Sequence, residues 1–215
     1  MLKFICLVGI SGSGKSTIAE KLKKEEEEKG NKIVILSSDT LRAQILGDIN
    51  DQTQNSMIFQ ELHKRTLQSL LNGVSVVYDA TSINIKDRKS ILDKIKNVDC
   101  YKVAYVMTCS YQMCKTQNQS RDRVVPDFVL EKQLRKFQIP IKYEGFDEIV
   151  LDKWNDFSNC TSENLFPIIQ KMIGFNQRTK WHKHSLLDHC LATYEEIKKG
   201  TTNKPLLVAA IIHDY

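Results

Sequence analysis

The run Gly9-Ile10-Ser11-Gly12-Ser13-Gly14-Lys15-Ser16-Thr17 fits the pattern G-x-x-x-x-G-K-[ST]. Those residue types are the ones a phosphate group needs. Glycines let backbone N–H groups turn inward around phosphate oxygens, and a helix that follows adds its positive end. Lys15 is spaced to reach the outer phosphates of a nucleoside triphosphate, and Ser16 to offer its hydroxyl to Mg²⁺. Gly9, Ser11, Gly12, Ser13, Gly14, Lys15, Ser16 and Thr17 are therefore the candidate residues for holding ATP, with Mg²⁺ at Ser16.

Other residues could act on a phosphate held there. The apolar run 33–36 ends in Ser37-Ser38-Asp39-Thr40-Leu41-Arg42, and the run 74–78 ends in Asp79-Ala80-Thr81-Ser82. In open α/β sheets ligands gather beyond the carboxyl ends of the strands, so Asp39, Arg42 and Asp79 are expected at one edge. Phosphoryl transfer needs a base at the acceptor hydroxyl and cations around the moving group. Asp39 is a candidate base, although an aspartate there could equally cap the next helix. Asp79 is a candidate partner of the magnesium site. Arg121 and Arg123 precede Pro126, which opens a helix. A mobile lid would use such cations to cover a nucleotide, whereas an ordinary basic loop would leave them in solvent.

The elements that must position these groups alternate. Short Val- and Ile-rich runs at 2–8, 33–36, 74–78, 103–107 and 148–151 are separated by stretches of helical spacing. Such alternation predicts a parallel sheet with crossover helices, an α/β fold. Continuous apolar strands predict a sheet covered on both faces. The mixed-sign run Lys21 to Lys29 reads as a solvated helix face. The boundaries expected are an α/β domain over 1–155, a connector over 156–180, and a helical segment over 181–215.

Composition narrows the class. No apolar run of the 215 residues approaches the roughly 20 needed to span a bilayer, so a cytoplasmic protein with no membrane partner is expected. The six cysteines include no Cys-x-x-Cys pair, which excludes zinc-ribbon spacing and suits a reducing compartment. The net charge is +5, yet residues 86–142 carry thirteen Lys and Arg against six Asp and Glu. A basic segment of this kind suits a polyanionic ligand, or is simply solvated surface.

Four of the five histidines fall at 182, 184, 189 and 213. Leu206 to Ile212 is apolar all round, which predicts a buried helix. The His213-Asp214 pair at its end would then need compensation, and a divalent metal held by imidazole and carboxylate would provide it. Capping or surface histidines are the alternative.

Residues 1–152 resemble the polynucleotide 5′-kinases of the P-loop phosphotransferase class. The likeness rests on Gly9 to Thr17, on Ser38-Asp39-x-x-Arg42, and on Asp79-Ala80-Thr81-Ser82-x-Asn84-x-x-x-Arg88. It extends to Arg121-x-Arg123-x-Val125-Pro126 and Glu144-Gly145-Phe146-Asp147. The family often has Asn where Ser82 stands. The resemblance implies a P-loop kinase fold with a helical lid, and catalytic roles for Lys15, Asp39, Arg42, Arg121 and Arg123. Asp39 would be the general base at a 5′-hydroxyl of RNA or DNA, Arg42 would grip an acceptor phosphate, and one or both lid arginines would touch the ATP phosphates. Small-molecule kinases share the loop and lid, and a P-loop ATP sensor is the non-enzymatic rival. The tail resembles the start of an HD-superfamily phosphohydrolase, an incomplete all-α segment. That likeness implies a transition metal (Mn²⁺, Ni²⁺ or Co²⁺) at His189, His213 and Asp214.

Overall fold

A computed structural model describes residues 1–109, 111–121, 123–152 and 186–212. The chain divides into two compact units, Met1–Lys153 and Trp154–Tyr215. In the first, β1 (Lys3–Val8), α1 (Lys15–Glu28), β2 (Ile33–Ser37), α2 (Ser38–Leu46) and α3 (Asn55–Leu71) come in that order. They are followed by β3 (Ser75–Asp79), α4 (Ile85–Ile95), β4 (Tyr101–Val106), α5 (Tyr111–Gln119), α6 (Asp127–Arg135) and β5 (Glu148–Leu151).

The strands form one parallel sheet in the order β2-β3-β1-β4-β5. Period-two side chains divide it into two covered faces. Phe4, Cys6, Val8, Val76, Tyr78, Ala104 and Val106 pack into one core with Ile58, Leu62 and Ile91. Ile5, Leu7, Val77 and Val103 face the other way, onto α1 through Ala19 and Ile18. All of β3 is buried, as the unbroken apolar run requires. The carboxyl ends of β1, β2 and β3 consequently lie at one edge, carrying the phosphate loop, Asp39 and Asp79.

The α1 surface departs in one place from the solvated face expected of Lys21 to Lys29. Glu26 is buried and accepts from Lys3 Nζ at 2.8 Å, Lys29 Nζ at 3.1 Å and Asn31 Nδ2 at 2.7 Å. It closes the α1–β2 turn against β1, a long-range role that a local charge pattern does not reveal.

In the second unit the described residues form α7 (Leu186–Lys198) and α8 (Lys204–Ile212). Leu186 and Cys190 are buried. Leu206 is 47 % exposed, so α8 is not covered all round as its composition suggested. The connector expected over 156–180 lies outside the described residues. No described helix is long and apolar enough to cross a membrane. Cys6, Cys100, Cys109 and Cys114 are free thiols, and Cys6, Cys100, Cys114 and Cys190 are buried.

Candidate active site

The phosphate loop leaves β1 at Gly9 and enters α1 at Lys15. Gly12 and Gly14 have φ of 78° and 88°, the left-handed region that glycine adopts without penalty. A Cβ on Gly12 would also run into the carbonyl oxygen of Cys114. The loop is thus shaped by its own torsions and by the backbone of α5 lying against it. Gly9 N–H donates to the Thr81 carbonyl at 3.3 Å, tying the loop to the end of β3.

Lys15 Nζ donates to the carbonyls of Gly9 at 3.0 Å and Ile10 at 2.8 Å. Burial lowers its pKa to about 8, against the nearby Asp79 carboxylate, which raises it. Ser16 Oγ donates to Asp79 Oδ2 at 2.9 Å. Burial pushes the Asp79 carboxyl up, opposed by Lys15 and Ser16. Arg121 is exposed, and its charge acts on both Lys15 and Asp79, so it faces the same region.

At the end of β2, Ser37 and not Asp39 caps α2, its Oγ accepting from Asp39 N–H at 3.3 Å. The Asp39 side chain is therefore released from the capping role that its position allowed. Its Oδ1 accepts from Arg42 Nη1 at 2.8 Å and from Arg123 Nη1 at 2.9 Å. Arg42 is only 4 % exposed and also donates from Nη2 to Asn55 Oδ1 at 2.8 Å. Its Nε is buried without a hydrogen-bond partner among the described residues, as is Ser13 Oγ in the loop. Buried polar groups of this kind are rare unless something else satisfies them.

The structure thus brings Lys15, Ser16, Asp79, Asp39, Arg42 and Arg123 to one edge of the sheet. Part of the basic excess over 86–142 is structural. Arg88 is fully buried against Glu144, and Lys115 pairs with Asp127 at 2.6 Å. Sequence reasoning missed the partners: Asn55 on Arg42, Glu144 on Arg88, and Gln133 on the phosphate loop, where Ser11 N–H donates to Gln133 Oε1 at 2.8 Å. Of these only Gln133 left a signal, as a polar residue at an inward position of an amphipathic helix.

The residues present fit ATP and Mg²⁺: the loop carries an orphaned serine hydroxyl and the Lys15 ammonium, and Ser16 is backed by a carboxylate. The metal centre expected in the tail has no such support. His213 and Asp214 lie outside the described residues. His189 lies on α7, where its carbonyl accepts from Thr193 Oγ1 at 3.1 Å. Among the described residues no three His, Cys, Asp or Glu side chains gather to hold a metal.

The low pKa of Lys15 has a measurable effect. A phosphate group binds the ammonium form, so as pH rises through about 8 the ligand-free protein loses the proton that binding requires. Nucleotide affinity should be level below this pH and fall above it by up to about tenfold per pH unit. Calorimetric titration of ADP between pH 6.5 and 9.5 would show it (the range brackets that pKa). A flat profile to the top of the range would mean that Lys15 stays charged or does not meet the phosphates.

Residues 4–140 match the family model described as AAA domain. The chain is 26 % identical over 180 residues to a probable adenylyl-sulfate kinase of Bacillus subtilis (strain 168), covering 77 % of this chain and 84 % of that protein. Among solved structures, Kti12 of Chaetomium thermophilum in complex with ADP-AlF3 superposes with a TM-score of 0.59. It has 16 % identity and covers 78 % of this chain and 97 % of its own. A chain of the Pnkp1/Rnl/Hen1 RNA repair complex gives 0.54 at 19 % identity, over 63 % of this chain and 43 % of that one. These likenesses establish the α/β P-loop kinase fold.

Proposed function

The chain belongs to the AAA domain family, and from that premise we propose that it transfers the γ-phosphate of ATP to the 5′-hydroxyl of a nucleic-acid end. The observation that carries the reading is the Arg42–Asp39–Arg123 cluster. Both guanidinium groups bind Asp39 Oδ1, and among the described residues no hydrogen bond occupies Oδ2. An acceptor hydroxyl placed at Oδ2 would give up its proton there as it attacks the phosphorus in line. The unsatisfied Arg42 Nε supplies a donor for an anionic oxygen of the same acceptor. A nucleotide with a free 5′-hydroxyl carries such an oxygen on its 3′-phosphate.

Lys15 would exchange the Gly9 and Ile10 carbonyls for the outer phosphates of ATP, and Arg121 would cover them from the lid. Mg²⁺, held through Ser16 with Asp79 behind it, would offset the phosphate charge when bound. Arg123 would hold the Asp39 carboxylate in orientation through its charge-assisted hydrogen bond.

A second reading, a small hydroxylated acceptor, is favoured by the likeness to the probable adenylyl-sulfate kinase along most of its length. Transfer of labelled γ-phosphate to 5′-hydroxyl RNA and DNA oligonucleotides, beside adenylyl sulfate and a panel of metabolites, decides between them. With the oligonucleotide acceptor, KM should rise steeply between 50 and 200 mM salt, because each neutralised phosphate releases counterions. A salt-independent KM, or transfer confined to the small acceptors, would replace the first reading by the second. ATP binding with no transfer to any acceptor would leave a nucleotide sensor.

A further inference from the structure

We propose that Gln133 is a positioning residue of the phosphate loop, a latch by which the lid helix α6 holds Ser11 and so sets the loop when the lid is down. The proposal rests on the kinase reading of the site only for its effect on catalysis.

Both ends of the Gln133 carboxamide are used on one residue. Oε1 accepts from Ser11 N–H at 2.8 Å, and Nε2 donates to Ser11 Oγ at 3.1 Å. The two residues lie 122 positions apart in the chain. On α6 the exposed side carries Phe128, Glu131, Lys132 and Arg135, while Val129, Leu130 and Gln133 turn inward. An inward position on an amphipathic helix is ordinarily apolar. A polar group placed there must find a partner, and here the partner is the third residue of the phosphate loop.

The contact belongs to a larger seat. Next to Ser11, Gly12 has no room for a side chain because the Cys114 carbonyl of α5 lies against it, with Asn118 Cβ at 3.2 Å from the place a Cβ would take. Asn118 also closes the turn between the two lid helices. Its Nδ2 donates to the Val125 carbonyl at 2.7 Å, and Val125 N–H donates to its Oδ1 at 3.1 Å. Thus α5 and α6, joined through Asn118 and Val125, rest on Ser11 and Gly12 together. Arg123, on that turn, reaches Asp39.

A Ser11 peptide bound by Gln133 is held in one orientation, and the N–H groups from Gly12 to Lys15 that follow it are held with it. Raising the lid breaks both hydrogen bonds at once and releases the loop. A nucleotide that prefers the ordered loop therefore favours the lowered lid, and a lowered lid strengthens nucleotide binding by the same factor. The lowered lid also keeps water from the transferring group. Loss of the latch should then raise hydrolysis of ATP relative to transfer.

The test uses Gln133→Met, which keeps shape without polar atoms, and Gln133→Ala beside it. Two readouts need no acceptor: amide hydrogen exchange across residues 9–15, and ADP affinity by calorimetry. Both variants should exchange the Ser11 and Gly12 amides about tenfold faster and bind ADP several-fold more weakly, with Tm held within about 2 °C. Ser11→Ala should do part of this, and in combination with Gln133→Met its effect should be less than additive. Folded variants with unchanged loop exchange and unchanged ADP affinity overturn the latch. Additive effects of Ser11→Ala and Gln133→Met overturn it as well, since the two would then act separately. A wild-type protein that transfers phosphate to no acceptor would sink the kinase reading and leave the exchange result to judge the latch alone. If transfer is found, a rise in ATP hydrolysed per phosphate transferred is the expected catalytic sign.

Discussion

Asp39→Asn should lower the turnover of phosphotransfer by about 100-fold or more while ATP affinity stays within about threefold. The substitution keeps the size of the side chain and one oxygen to accept from Arg42 or Arg123, so α2 and its Ser37 cap should persist. What is lost is the negative charge and the basic oxygen. Lys15 and Ser16 make no hydrogen bond to Asp39 and should hold the nucleotide as before. The split between kcat and affinity is the discriminating result. If Asp39 only anchored the lid through Arg123, its loss would free the lid and weaken nucleotide binding together with turnover. If it is the base, the chemical step alone falls. Single-turnover rates with saturating ATP, beside ADP affinities, separate the two, and near-normal turnover in Asp39→Asn would remove the base assignment.

The parts of this site that could be read in the sequence are those whose chemistry is local. The loop Gly9 to Thr17 is contiguous, and its glycines are required by torsion and by crowding, so residue type and position coincide. The strands announced themselves because burial on two faces demands unbroken apolar runs, and Asp39 and Asp79 followed from where such runs end. Partnerships between distant segments left no comparable trace. Glu26 looked like one of four consecutive glutamates, yet it alone turns inward to Lys3. Asn55 and Gln133 act on Arg42 and Ser11 across 13 and 122 positions, a relation that no period or spacing encodes. Ser82 is an intermediate case. Its φ of 43° lies in the left-handed region, which Asn enters more readily than Ser. An Asn at this place would thus have a backbone reason that shows only once the torsion is known. In the tail the obstacle is different, since His213 and Asp214 lie outside the described residues and composition alone cannot assemble a ligand set.

Arg88 shows what such a hidden partnership is worth, and its removal should cost the first unit much of its stability. Its side chain has no exposure and that of Glu144 has 2 %. Nε donates to Glu144 Oε2 at 2.7 Å and Nη2 to Oε1 at 2.8 Å, a two-pronged pair, while Nη1 donates to the Ser82 carbonyl at 3.1 Å. Glu144 Oε1 also accepts from Ile141 N–H at 3.0 Å. The pair joins α4 to the segment leading into β5 and pins the Ser82 turn beside Thr81, whose carbonyl holds Gly9. Arg88→Met would leave a buried carboxylate with a single backbone donor, a loss of about 3–5 kcal/mol. For a unit of this size that corresponds to a fall in Tm of roughly 6–20 °C. Replacing both members by apolar residues, Arg88→Met with Glu144→Leu, should recover a large part of the loss, because no charge is then stranded. The double variant should still bind nucleotide less well than the wild type, since the Ser82 carbonyl loses its donor and the support under Gly9 loosens. Thermal melts and ADP affinities of both single variants and the double one measure this directly. A loss below about 1 kcal/mol in Arg88→Met, the value of an exposed pair, would mean that the guanidinium and carboxylate are hydrated and that the pair does not brace the phosphate loop.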